Sequence, residues 1–333
     1  MNNKKKLNSK YCKKYILESL NNVTTLTKLI KINKLIISGG GMLGISYLGA
    51  LKYLDELNIL VNINEYYGCS IGGLLCGLIY IGYTIDELIT FTLNFNFMML
   101  INPKINSLIN NYSVADSENY IIFLKELITR KNLNPNINLL DLYNITHKKI
   151  NLVGFNISKQ TECIFNHITY PNIELWKVIY ITCALPTLLA PLFYKGNYYC
   201  DGGISNNNPI NLIPEYEQIN TICITTTNFK FETNLIDDLI NKKNIFNYIK
   251  YMSNILYIIF NTKENYKVDK YNNIILIDNC SDSNDSVNFN LNSDIKLSKI
   301  INGYNCCKKN IPKIFEYLLN QQKTINSSEQ YIN

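Results

Sequence analysis

Twice within the first quarter of the chain, a short apolar run breaks into glycines and then into an apolar helical pattern. The first unit is Leu35-Ile-Ile-Ser38 followed by Gly39-Gly-Gly-Met-Leu-Gly44. Ile45, Leu48, Leu51, Leu54 and Leu57 then repeat at helical spacing. The second unit runs from Glu65-Tyr66-Tyr67 through Gly68-Cys-Ser-Ile-Gly72 into the strongly apolar "IGGLLCGLIYIGY". An order of strand, loop, helix, strand, turn, helix admits few architectures. Parallel strands need a helical crossover between them, and their functional loops gather at the strand C-termini. The repeated unit therefore predicts an α/β fold of three layers, α/β/α, around a mainly parallel central sheet.

The remaining chain continues the alternation. Residues 84–147 read as mostly helical, with an Asn-rich connection near 102–112. Ile150–Ile157 and Glu162–Phe165 alternate as a hairpin around "SKQT". Leu175–Ala184 is helical and stops before Pro186. "NYYC" forms a strand leading into Asp201-Gly202-Gly203, and the β-branched "TICITT" at 221–226 forms another. Residues 234–260 and 294–320 read as helices, with "NNIILID" a strand between them. No internal repeat or Pro/Gly/Ser-rich linker divides the body. The expected organisation is a basic leader over 1–34, a catalytic core over 35–230, and a C-terminal stretch over 231–333 in the same domain.

The formal charge of +6 is unevenly placed. Residues 1–34 hold nine lysines against one glutamate, whereas the rest carries 23 basic and 25 acidic side chains. The leader reads first as a solvated tail. Its alternative is attraction to anionic lipid headgroups, at about 1 kcal/mol per lysine held near the surface. Nucleic acid is not an expected partner, because only Tyr11 and Tyr15 interleave these lysines. The leader lacks the apolar core and cleavage site of a secretory signal. No run of 18 apolar residues marks a membrane span. The expectation is a cytoplasmic chain, peripheral at membranes. Its ten cysteines then read as reduced thiols. Cys69, Cys76, Cys183 and Cys200 read as small buried apolar residues. The adjacent Cys306 and Cys307 do not form a zinc pattern, and no metal or organic cofactor is expected.

Ser70 lies between Gly68 and Gly72 in G-x-S-x-G, at a strand-to-helix turn. Such a turn holds the serine in strained backbone geometry and sets its Oγ at a helix N-terminus, where negative charge is favoured. The loop holding Gly39, Gly40, Gly41 and Gly44 fits two tasks. A dinucleotide fold would use it for a pyrophosphate, but needs an acidic residue ending the second strand. Glu65 instead feeds the serine turn directly, so the glycines better suit presenting bare amides to an oxyanion. Only His147 and His167 are present, and neither follows Asp201. A triad in the order Ser, Asp, His is therefore impossible. Either the serine is inert or a carboxylate raised in pKa by burial serves as its base. Asp201, followed by Gly202 and Gly203, is the candidate for that carboxylate. A D-G-G turn closing a hairpin is the plainer alternative.

"GGGMLGISYLGAL", "GCSIGG", "CALPTLLAPLFYKGNYYCDGG" and "ISNNNPI" together resemble the patatin-like phospholipases, in order and in spacing. The likeness is close over about residues 34–230 and loose beyond. It implies a Ser–Asp dyad, with Ser70 the nucleophile, Asp201 the base, and Gly39, Gly40 and Gly41 supplying or shaping the oxyanion hole. It implies a carboxylic-ester hydrolase acting on phospholipids or acylglycerols without cofactor. A transacylase with the same dyad and a non-catalytic lipid-binding module are the alternatives. One departure is Leu43, where the family often carries Arg or Lys. His147 and His167 read as structural. The aromatic, Met-rich stretch 91–103 reads as core packing first and as a mobile acyl-pocket flap second. Asp282 and Asp285 lack an EF-hand pattern and read as a solvated loop.

Overall fold

A computed structural model describes residues 30–101, 112–115, 117–226, 271–279 and 288–329, with isolated positions between them. Most of the expected helix over 234–260, most of the leader, and Asp282 and Asp285 lie outside the described residues.

The two glycine units fold as their pattern dictates. Strand β1 (Lys34–Ile37) passes through a 3-10 turn at Gly41–Gly44 into helix α1 (Ile45–Glu56). Strand β2 (Glu65–Cys69) passes through Ser70 into α2 (Ile71–Tyr80). Helix α3 (Ile85–Asn94) begins with a capping box. The Thr84 hydroxyl accepts from the Glu87 amide at 3.2 Å, while the Thr84 amide donates to the Glu87 carboxylate at 2.7 Å. A single helical turn at Met98–Ile101, then α4 (Ser117–Thr129) and α5 (Leu139–Thr146), lead to β3 (Lys149–Asn156) and β4 (Thr161–Phe165). After α6 (Leu175–Cys183) come β5 (Leu192–Tyr194), β6 (Asn197–Asp201), β7 (Thr221–Thr226) and β8 (Ile274–Ile277). Helix α7 (Ser293–Glu329) runs well past the expected end at 320, carrying Pro312 inside it.

The strands form one sheet in the order β5-β6-β3-β2-β1-β7-β8, with β4 paired to β3. The centre is parallel: β1 pairs β2 and β7, β2 pairs β3, and β7 pairs β8. The β3–β4, β3–β6 and β5–β6 pairings are antiparallel. The result is an α/β fold with a central, mostly parallel sheet flanked by helices. Strand residues alternate between two cores. Leu35, Ile37, Ile222 and Ile224 join the main cluster with α1, α2, α6 and α7. Ile36, Tyr67 and Cys223 join a smaller cluster with Ile210 and Ile213 on the opposite face.

Two contacts bear on the site. At the start of the strands, Lys34 forms an ion pair and hydrogen bond with Glu65, which also accepts from the Tyr67 hydroxyl at 2.8 Å. Glu65 thus stands at the opposite end of β2 from the glycine loop, away from any ribose beside it. At the back of the site, α7 crosses α1 with almost no separation. A Cβ on Gly303 would lie 1.7 Å from the Ser46 carbonyl oxygen, and one on Gly49 would lie 1.8 Å from that of Ile300.

Candidate active site

Strand β2 ends at Cys69 and α2 begins at Ile71, so the chain must turn on Ser70 alone. Ser70 takes φ 52° and ψ −128°, a left-handed φ that costs a residue with a Cβ about 1–3 kcal/mol. Its neighbours hold it there. The Ser70 amide donates to Thr182 Oγ1 at 2.9 Å, and its carbonyl accepts from the Leu74 amide at 3.0 Å and the Cys183 thiol at 3.2 Å. Gly72 lets β1 pass directly over the turn: a Cβ there would lie 2.1 Å from the Ile37 carbonyl oxygen. Gly68 faces the Gly72–Gly73 backbone.

Asp201 reaches Ser70 because two strands share one edge of β3. Strand β2 occupies that edge up to Cys69 opposite Val153, and β6 continues it with Asp201 opposite Gly154. Strand β4 overlaps both pairings in register, so it must take the other edge. Asp201 is 1% exposed. Its amide donates to the Ala184 carbonyl at 2.9 Å. Its carboxylate accepts from the Gly203 amide at 2.7 Å and from the Cys69 thiol at 3.8 Å, and the neighbouring Ser70 hydroxyl helps to lower its pKa. Burial pushes its pKa up to about 6, and the donors Gly203, Ser70 and Cys69 hold it from rising further. Gly202 packs on the Val153 carbonyl, and Gly203 opens a short helical turn at 203–206.

The glycine loop completes the ring of groups. The Gly39 amide donates to the Asn207 carbonyl at 3.0 Å, and the Gly39 carbonyl accepts from the Tyr47 hydroxyl at 3.0 Å. Gly39 therefore shapes the loop, while Gly40 and Gly41 line the cavity beside Ser70 and Asp201. Gly44 packs against the Ile71 side chain. Leu43 is fully buried, whereas Met42 before it faces the cavity.

That cavity has a volume of about 210 Å³, several times the ~30 Å³ share of one water. Leu48 of α1, Leu74 and Leu78 of α2, Tyr120 and Phe123 of α4, and Leu188 wall it. Asp201 is the sole ionisable carboxyl among its described lining residues, so it suits an apolar chain with one polar end. The stretch 91–103, expected first as core packing, does pack on the main core through Ile101, Leu93, Phe97 and Leu100, and it also faces the cavity. Phe91, Phe97, Leu100 and Ile101 stand on the cavity wall, and Met99 is exposed. Cys183, expected to be a buried apolar filler, is half-buried and also lines the cavity. Cys69, Cys76 and Cys200 are buried as expected. His147 caps the C-terminus of α5 on the surface, and His167 stacks on Tyr143 at 3.8 Å. Neither lines the cavity.

Three residues here carried no functional assignment from sequence: Thr182, Cys183 and Asn207. Asn207 lines the cavity, and its Oδ1 lies where a side chain on Gly39 would go.

Comparison with known proteins bears on this arrangement. The family model for patatin-like phospholipase matches residues 35–213. A protein of Invertebrate iridescent virus 6 named as a probable lipid hydrolase is 31% identical over 207 residues. The match covers 61% of this chain and 70% of that one. Triacylglycerol lipase 4 of Saccharomyces cerevisiae is 23% identical over 224 residues, covering 58% of this chain but only 24% of the yeast protein. The crystal structure of VipD from Legionella pneumophila shares the fold, with TM-score 0.52 and 19% identity over 84% of this chain and 67% of that one. A family match across more than half of the chain, joined to a viral relative matched over most of its length, shows that this protein belongs to the patatin-like phospholipase family of lipid hydrolases.

Proposed function

We propose that the protein hydrolyses carboxylic esters of phospholipids or acylglycerols through an acyl-Ser70 intermediate, with Asp201 as base. Asp201 takes the Ser70 hydroxyl proton as Oγ attacks the ester carbonyl carbon. The amides of Gly40 and Gly41 receive the tetrahedral oxyanion, and each such donor is worth about 3 kcal/mol or more. The leaving alcohol departs with the proton from Asp201. Water then attacks the acyl-serine, giving its proton to Asp201. Ser70 leaves as the alkoxide and recovers that proton, releasing the fatty acid. Side chains and backbone alone carry the scheme.

One observation carries the reading: a carboxyl raised to about 6 stands beside a strained serine on the wall of an apolar cavity. A base of that pKa is ionised at neutral pH yet more basic than an ordinary aspartate. The kcat/KM for fatty-acid release should rise about tenfold per pH unit below 6 and level off above it. Ser70→Ala should fall to background on phospholipid, triacylglycerol and simple esters alike. A wild-type protein silent on all three would sink the proposal.

Thr182 is read as the positioning residue for the turn. Thr182→Val keeps the shape but removes the acceptor, leaving the buried Ser70 amide unpaired at a cost of about 1–3 kcal/mol. The kcat on a dispersed short-chain ester should drop by about 10- to 100-fold with KM unchanged, and Thr182→Ser should restore it. A Thr182→Val enzyme with full kcat would remove the role.

A further inference from the structure

The ribbon of β5 and β6 rises from the same end of the sheet as Ser70, because β6 extends the edge of β3 beyond the end of β2. Its outer half is bonded to the turn that joins β3 to β4. The Ile157 amide donates to the Tyr198 carbonyl at 2.8 Å, and the Tyr198 amide donates to Ser158 Oγ at 2.9 Å. Asn156 pairs with Tyr199, so Ile157 falls opposite Tyr198, which in turn pairs with Phe193. Directly opposed residues share a sheet face. Ile157, Tyr198 and Phe193 therefore form one row across three strand segments, and they are 42%, 50% and 59% exposed. The two rings lie against each other at 4.9 Å. Large apolar side chains gathered in the open mark an interaction surface rather than a core.

We propose that this row is a docking surface for a lipid bilayer with anionic headgroups. The turns that bound it carry exposed Lys159 and Lys195. The acid on the same face, Glu162, lies opposite Phe155, two residues back from the rim, and receives Asn206 at 3.4 Å. An aliphatic and two aromatic side chains flanked by lysines match the boundary between acyl chains and anionic headgroups. There tyrosine keeps its hydroxyl wet, and each lysine adds about 1 kcal/mol. Position favours a membrane over a protein partner. Asp201 is three residues along β6 from Tyr198, about 10 Å by strand rise. That odd spacing puts the row and the Asp201 carboxylate on opposite faces, so a bilayer seated on the row lies at the end of the sheet that carries Ser70 and Asp201 rather than against the cavity wall. The substrate rests on the lipid-ester reading above, but docking is measured without turnover.

The test uses the full chain and vesicles of phosphatidylcholine with phosphatidylserine in about a 3:1 ratio, in about 0.5 M salt. The Debye length is then about 4 Å and the pull of the basic leader is screened. Phe193→Ser with Tyr198→Ser should weaken vesicle partition about 30-fold. The second variant, Lys159→Glu with Lys195→Glu, alters turn residues alone. In low salt it should weaken partition on these vesicles by about tenfold and leave pure phosphatidylcholine unaffected. Turnover of a dispersed short-chain ester should be unchanged in both. Unchanged partition of both variants overturns docking. A shift in oligomeric state without a change in partition also overturns it, assigning the row to a second copy of the chain. If partition falls while the wild type hydrolyses no ester, docking stands and the hydrolase reading fails.

Discussion

Asp201→Asn should abolish turnover and stabilise the protein in the same stroke. On the proposed mechanism, removing this base should cost about 10⁴-fold or more in kcat. The stability gain follows from linkage. The folded carboxyl titrates at about 6 against an ordinary 3.8 because burial disfavours its charge. Its contribution to stability is complete below pH 3.8 and is lost as pH rises through about 6. Above pH 6 the folded protein therefore bears a buried carboxylate at a cost of about 1–3 kcal/mol. Asparagine keeps an oxygen for the Gly203 amide and carries no charge. Thermal melts at pH 8 should show the variant above the wild type by about 2–4 °C, with the difference closing near pH 4. A variant less stable at pH 8 would mean that the carboxylate is well solvated by its donors, and the raised base would lose its foundation.

Gly303→Val should come close to unfolding the protein although Gly303 itself does not line the cavity. Replacing a helical glycine by alanine ordinarily gains about 1 kcal/mol, and valine gains less. Here the first carbon added would lie 1.7 Å from the Ser46 carbonyl oxygen. Backbone cannot rotate away as a side chain can, so α1 and α7 must separate and open the core that Leu48, Ile300 and Ile311 share. The expected loss is about 3–5 kcal/mol, at the upper end for a single substitution, with Tm lower by about 5 °C or more. Gly49→Val meets the same crossing from the other side, 1.8 Å from Ile300, and should behave alike. A melt within a degree of wild type would show that the crossing is looser than described.

These two residues mark what a sequence does and does not make legible. The strand–glycine–helix units at 35–56 and 65–80 could be read because each step is local: apolar run, turn residue, apolar period. Asp201 was within reach for the same reason, as the carboxylate closing a strand before two glycines. Gly303 gave no signal, since a glycine inside a helix says only that something is close, not what. Thr182 reads as one more helical residue in "ITCALP". Its bond to an amide 112 positions away belongs to packing, not periodicity. The Gly39 amide reads as a free donor until Asn207 is seen to occupy it. Helix α7, expected over 294–320, runs to Glu329: Ile311, Ile314, Phe315 and Leu318 bury a stripe before residue 320, and the polar residues beyond it carry no apolar period from which an end could be read.

The shared edge of β3 has a consequence for how such a protein comes into being. A ribosome makes Asp201 more than a hundred residues after Ser70. Between those moments β3 offers a vacant edge where the base belongs. On the dyad reading, a nascent chain halted anywhere before β6 holds a nucleophile with nothing to deprotonate it. On the same reading, ester cleavage would stay silent until β6 has been made. The chain's activity would begin with the docking of a single five-residue strand.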